Sequence, residues 1–336
     1  MRKTFAIVLI LCLVLPVISV SADGATPRFR FESTVIVSFQ GREAIARVQF
    51  INPNGVGHDV EAELRDENGY VLAAKTFTNN KVRSVKFTFP DDWIGAKYLS
   101  VWVDDVKVSE EDLFFAVDDL SNKAVRQVAA STQRMSITLD CGYGDTYTDR
   151  LLDLLDEFGV KVTFFVTGQW AENFPDHIKE FISRGHEIGN HSYYHPHLTE
   201  ESYERVLREI VNTSDLVEEI CGVRPVLFRP PYGDTDHLVR AISRAAGCEH
   251  IIWTVDSHDW DDNYDKDKIV RRVTKTVDTG YIILFHNAGK YTVEVLREVI
   301  PYYQSLGYEL VPVSTLLSEG EYTVNEDGLV EFVQDQ

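Results

Sequence analysis

The chain is short of positive charge, short of cysteine, and has no long apolar run after its first 22 residues. Thirty-three Lys and Arg stand against 53 Asp and Glu, a formal charge of −20. That balance gives no electrostatic grip on phosphate backbones or anionic lipid, and it excludes nucleic acid and acidic membrane surfaces as partners. It suits a neutral glycan, or solubility alone. Four cysteines in 336 residues are too few for a disulfide scaffold, and a chain this long builds a core without one. What is present is ordinary globular composition, 44% hydrophobic with mean hydropathy −0.16, at a length that suits two domains.

The N-terminus reads as a targeting segment. Arg2 and Lys3 precede an apolar run over 5–20, and Val20-Ser21-Ala22 supplies the residues a signal peptidase accepts. The expectation is a signal peptide over 1–22, cleaved after Ala22, with the mature protein secreted or held in the cell envelope and no membrane span left. The alternative is an uncleaved anchor, which the short run and Pro16 disfavour. Cys12 follows Leu11, which argues against a lipoprotein site. Cleavage takes the charge to −22 and leaves Cys141, Cys221 and Cys248. Cys221 and Cys248 are one conceivable pair.

Residues 27–120 carry period-2 patterning. Val60, Ala62 and Leu64 alternate with Glu61, Glu63 and Arg65, and Val85, Phe87 and Phe89 with Ser84, Lys86 and Thr88. Turn signals separate them at Asn52-Pro53-Asn54-Gly55, Asn68-Gly69, Asn79-Asn80 and Pro90-Asp91-Asp92. This predicts an all-β sandwich of immunoglobulin-like type, either a glycan-binding module or a spacer. After a polar link over 121–134 the texture changes. Strands are predicted over 136–139, 162–166, 251–255, 282–286 and 309–312. Helices are predicted over 149–158, 176–184, 199–220, 266–278 and 292–306. Such alternation implies an α/β domain over 134–317 with a parallel sheet, open or closed into a barrel. Residues 318–336 read as an acidic tail. No pattern bears on oligomeric state.

Polar residues gather where the predicted strands end, which in a parallel barrel is where active sites are built. Thr138-Leu139-Asp140-Cys141-Gly142-Tyr143 places a carboxylate at one strand end. His191-Ser192-Tyr193-Tyr194-His195-Pro196 holds two imidazoles four residues apart, a spacing that can share a metal. Phe228-Arg229-Pro230-Pro231-Tyr232-Gly233 is a stiff loop carrying a cation. Trp253-Thr254-Val255-Asp256-Ser257-His258-Asp259-Trp260 and Ile283-Leu284-Phe285-His286-Asn287 end strands in titratable groups fit for proton transfer.

In order and spacing these five clusters resemble the catalytic motifs of the polysaccharide deacetylases, the NodB-homology domain of carbohydrate esterase family 4. The resemblance covers 134–317, and the stretches 161–166 and 185–192 share it. It implies a distorted (β/α) barrel of about seven strands. It also implies hydrolysis of acetyl groups, N-acetyl before O-acetyl, on an extracellular polysaccharide such as peptidoglycan or a chitin-like glycan. Asp140 matches the general base and His286 the general acid. Arg229 matches the residue that holds the base, and Asp256 the acid that tunes the catalytic His. Tyr232 matches the oxyanion donor, with Trp260 and Leu284 walling the acetyl pocket. His191 and His195 match two ligands of a divalent metal, expected to be zinc.

One position departs. Where the family has a second Asp, the third metal ligand, this chain has Cys141. Three readings stand open: a Cys-His-His site, a bystander thiol with metal held by two imidazoles, or a shell that binds glycan with weakened catalysis. Asp140-Cys141-Gly142-Tyr143 also resembles the delta-lactam-type peptidoglycan deacetylases, whose substrate is N-acetylmuramic acid, although the third and fourth clusters look like the general family.

Overall fold

A computed structural model describes residues 28–333, apart from 40–41, 52–58, 78–83, 91–92, 104–105, 110–111 and 120–122. The leader expected at 1–22 and the turns at Asn52-Pro53-Asn54-Gly55, Asn79-Asn80 and Asp91-Asp92 lie outside the described residues. The chain divides into two compact units between Asp118 and Asp119.

In the first unit every regular element among the described residues is a strand. Val60, Ala62 and Leu64 are buried, and Glu61, Glu63 and Arg65 point to the opposite, partly exposed face. This strand, Val60–Asp66, pairs antiparallel with Val71–Phe77 across the Asn68-Gly69 turn. Gly69 there adopts φ 83°, a left-handed value that glycine reaches without a Cβ clash. The six-stranded sheet is accompanied by a three-stranded one of Arg28–Phe31, Glu43–Ile51 and Ser84–Thr88. One apolar cluster joins them, with Ala44 and Phe87 against Leu64, Leu99 and Phe115. Val35–Phe39 runs parallel to Leu113–Asp118, so the pairing is not wholly antiparallel.

The second unit is α/β. The strands of its large sheet are β1 (Arg134–Cys141), β2 (Thr163–Val166), β3 (Glu187–Asn190), β4 (Leu227–Phe228), β5 (Glu249–His250), β6 (Val255–Asp256), β7 (Ile282–His286) and β8 (Glu309–Leu310). Its helices are α1 (Thr148–Glu157), α2 (Gly168–Asn173), α3 (Pro175–Ser183), α4 (Tyr203–Cys221), α5 (His237–Ala245), α6 (Lys266–Thr274), α7 (Thr292–Ser305) and α8 (Val313–Leu317). Seven strands form one curled parallel sheet in the order β5-β4-β3-β2-β1-β7-β6, with β8 beside β1. Central strands covered on both faces must be apolar throughout, and Met135 to Cys141 are all buried.

Both margins of the sheet come from one segment, 249–256. The Ile251 N–H donates to the Phe228 carbonyl at 2.8 Å, and the Thr254 N–H to the Ile282 carbonyl at 2.8 Å. The segment therefore changes partners halfway, and the single strand expected over 251–255 is corrected to two short ones, β5 before it and β6 at its end. Helix ends follow local chemistry. The Ser202 hydroxyl accepts the Arg205 N–H at the start of α4, and Gly222, at φ 74°, ends it.

The acidic tail expected over 318–336 is corrected through Phe332. Tyr322–Val324 and Leu329–Phe332 make a hairpin, the second strand pairing also with Gln127–Val128. Val330 is fully buried in an apolar cluster, which is why the segment docks despite its charge.

Candidate active site

β1 and β7 are neighbours in register, with Asp140 opposite His286. Strand alternation sends Thr138 and Asp140 to one side of β1, and Ile137, Leu139 and Cys141 to the other. On the Asp140 side lies a cleft of about 520 Å³. His191, His195, Tyr232, Asp256, Trp260 and His286 also line it, with Leu284 in its wall.

Arg229 lies beneath the carboxylate, fully buried. One guanidinium nitrogen, Nη1, donates to Asp140 Oδ1 at 2.7 Å and to Thr138 Oγ1 at 2.8 Å. Nη2 donates to the Ile252 carbonyl at 3.2 Å. The guanidinium also stacks 4.0 Å from the centre of the Phe165 ring. Burial pushes the Asp140 carboxyl up, but Arg229, then His191 and His286, outweigh it and hold Asp140 below its ordinary value. Asp140 is therefore ionised and able to take a proton.

His286 is shifted the other way. Burial alone would push it down, but Asp259, then Asp140 and Asp256, outweigh burial and raise it. Its Nδ1–H donates to Asp259 Oδ1 at 2.7 Å, and its backbone N–H to Asp259 Oδ2 at 2.9 Å. The Thr292 hydroxyl donates to the same Oδ2. This corrects the reading of Asp256. That carboxylate caps its own loop, accepting the His258 N–H at 2.9 Å, and acts on His286 only through space. The reason is reach: β6 ends at Asp256, and the loop beyond it carries Asp259 back onto β7. The sequence offered both acids three residues apart, and only the fold distinguishes them.

The two imidazoles sit together, ring centres 4.9 Å apart. His191 Nδ1–H donates to the Arg229 carbonyl at 2.7 Å, which leaves Nε2 as the acceptor nitrogen, 3.4 Å from Asp140 Oδ2. Burial lowers His191, partly offset by Asp140. Burial, reinforced by His191, lowers His195 to about 3. Both rings are neutral at physiological pH, the form that binds metal. His195 Nδ1 is buried with no hydrogen-bond partner, an orphan atom that a bound cation would satisfy. The two neutral imidazoles are donors suited to a divalent metal, although Asp140, His191 and His195 do not bring three ligand atoms within 4.8 Å of one another.

Cys141 does not join them. Its thiol is fully buried in the apolar core with Leu139 and Leu151, its polar neighbour being the Leu139 carbonyl at 3.9 Å. Burial first, then the Asp140 charge, raises it well above the ordinary thiol range. The Cys-His-His reading is thereby corrected. Cys221 and Cys248 are free thiols, not a disulfide. Among the described residues the group with three ligand atoms within 4.8 Å of one another is Asp149, His177 and Glu180, away from the cleft.

Strain marks the site. Among the described residues, those other than glycine with positive φ are Ser192 (65°), His195 (61°), Tyr232 (60°) and His258 (58°), each costing about 1–3 kcal/mol that the surroundings must offset. Tyr232 is pinned with its ring edge-on to His195 at 4.6 Å and stacked on His197 at 4.2 Å. Residues the sequence reading missed are Asp259, Thr292, Thr138, and Asn287, whose N–H donates to the Asp140 carbonyl at 3.1 Å.

The polysaccharide deacetylase family model matches residues 127–251. Peptidoglycan-N-acetylmuramic acid deacetylase PdaC of Bacillus subtilis is 35% identical over 182 residues, covering 54% of this chain and 38% of that protein. The chain thus spans well under half the length of that relative. A peptidoglycan-N-acetylglucosamine deacetylase of Bacillus cereus is 33% identical over 196 residues, covering 57% of this chain and 91% of that protein. Among solved structures, BA3943, a CE4 family pseudoenzyme from Bacillus anthracis, superposes with a TM-score of 0.57 at 28% identity, covering 63% of this chain and 74% of that one.

Proposed function

This chain belongs to the polysaccharide deacetylase family, and on that premise we propose that it hydrolyses N-acetyl groups of peptidoglycan, or of a chitin-like glycan, at the cell envelope. The observation that carries the reading is the pairing of Asp140 with His286. They face each other across β1 and β7, the pKa of one held below its ordinary value and that of the other raised above it. Two titratable groups pushed apart in this way supply a base and an acid at one pH.

Asp140 takes a proton from the water that attacks the acetyl carbonyl. His286 gives a proton to the departing sugar nitrogen, so the C–N bond breaks to acetate and a free amine. Asp259 fixes the His286 tautomer with the proton on Nδ1 shared with it, and keeps the ring basic. Arg229 keeps Asp140 charged and fixes its rotamer. Tyr232 offers its backbone N–H to the developing oxyanion, a donor worth about 3 kcal/mol. Trp260, exposed at the rim, and Leu284, in the wall, receive the sugar and the methyl. A divalent metal held by His191 and His195 would act as a Lewis acid on the acetyl group, and imidazole donors suit zinc. Purified protein supplied with zinc should release acetate from N-acetylated peptidoglycan strands. Silence across peptidoglycan, chitooligosaccharides and xylan would refute the reading.

A second reading rests on Cys141. The resemblance puts a ligand Asp at this position, and the thiol here faces the core. The chain would then be a glycan-binding wall protein with weakened catalysis. Glycan binding without acetate release at saturating zinc favours it. For the N-terminal unit we propose an immunoglobulin-like sandwich that spaces the enzyme or binds glycan, and for residues 1–22 a secretory signal.

A further inference from the structure

The turn that carries both imidazoles is tied down at every backbone amide from Ser192 to His195. The Ser192 N–H donates to Asn190 Oδ1 at 2.9 Å, and the His195 N–H to Ser192 Oγ at 3.1 Å. The Tyr193 and Tyr194 N–H groups both donate to one oxygen, Glu209 Oε2, at 2.7 Å each. On the other side, the N–H groups of Gly168 and Gln169, at the start of α2, donate to the Ser192 and Tyr193 carbonyls at 3.0 and 3.1 Å. The Tyr193 ring lies where a side chain at Gly168 would be. The turn is therefore clamped between α2 and α4, and it needs to be, since Ser192 and His195 both hold left-handed conformations that side chains avoid.

Glu209 is the one charged anchor of this clamp. It is buried, projects from the inner face of α4, and does not line the cleft. Its second oxygen accepts Arg205 Nε at 3.0 Å, which satisfies the charge and fixes the rotamer. We infer that Glu209 is a positioning residue for the deacetylase site, holding the His191–His195 turn in the strained geometry that sets both imidazoles in the cleft that Asp140 lines. The inference rests on the proposed function for its effect on turnover, but not for the clamp itself.

The test uses Glu209→Leu, which keeps most of the volume and removes the acceptors. Its partner is Glu209→Gln combined with Arg205→Met, which keeps a carbonyl acceptor and removes its competitor. Amide hydrogen exchange at Tyr193 and Tyr194 is read alongside acetate release from N-acetylated peptidoglycan strands. In Glu209→Leu the two amides should exchange at least about tenfold faster, and kcat should fall about tenfold or more with KM within about twofold. The double variant should return both to within about threefold of Arg205→Met alone. Should Glu209→Leu not fold, Glu209→Asp, which withdraws the carboxylate by one methylene, is read the same way. Unchanged exchange and kcat, or a double variant as slow as Glu209→Leu, would overturn the inference. If wild type releases no acetate, the proposed function fails, and the exchange of the two amides still decides the clamp.

Discussion

Asp259 grips His286 twice, accepting its ring Nδ1–H at 2.7 Å and its backbone N–H at 2.9 Å. The acid that contacts His286 and raises its pKa most is thus on the loop after β6, not at the end of β6 itself. A raised His286 pKa means that the protonated donor persists above the usual imidazole range and is lost as pH rises through the raised value. Asp259→Asn should therefore move the basic limb of the kcat profile to lower pH, and lower kcat at pH 8 by about 10²-fold. Asp256→Asn should move it less. Equal shifts in the two variants would refute the assignment.

Arg229 and Asp140 form a buried pair at 2.7 Å. Arg229→Met leaves the carboxylate without its cation, an expected loss of about 3–5 kcal/mol. Chemical denaturation at neutral pH measures it. Because the folded Asp140 pKa is depressed, the stabilisation is present above the unfolded carboxyl value and is lost as pH falls through the folded one. The gap between variant and wild type should narrow in acid. A gap that widens would contradict the pairing.

Cys141 faces the core. Cys141→Ser should leave zinc affinity within about threefold, where loss of a true ligand or of its support costs 10–100-fold. In native protein an alkylating reagent should label half-buried Cys221 before Cys141 or Cys248, and mass spectrometry should find all three thiols free. Fast labelling of Cys141 that zinc protects against would return the thiol to the metal set.

Gly168 meets the Tyr193 ring with no room for a methyl group. Gly168→Ala should cost about 1–3 kcal/mol by overpacking. It should also lower turnover, because the ring it displaces belongs to the His-bearing turn. Thermal unfolding and kcat measured together check this, and stability loss without turnover loss would separate the two.

Much of this was legible in the sequence. β1, β2 and β7 are apolar runs and α1, α6 and α7 carry helical periodicity, and all six overlap their expected ranges. The short elements were not legible. β3 and β4, with four and two residues, contain too little pattern to alternate, and α2 has only six residues. The C-terminal hairpin did leave a signal, Asp327-Gly328 between two apolar stretches, with Gly328 at φ 82° and Asn325 Oδ1 accepting the amides that follow. The acidic composition masked it. At the site, Asp140, Arg229, His191, His195 and His286 could be named because motif order reveals them. The direction of Cys141 and the choice between Asp256 and Asp259 could not. Both depend on which face of β1 a residue takes and how far a loop reaches back.

The most direct test is acetate release from N-acetylated peptidoglycan by wild-type protein and Asp140→Asn, each with zinc bound to a measured stoichiometry. Wild type should turn over and Asp140→Asn should fall by at least about 10²-fold with its metal content unchanged. Wild-type protein that holds zinc yet releases no acetate, or an Asp140→Asn variant as active as wild type, would contradict the proposal of a base–acid pair built on Asp140 and His286.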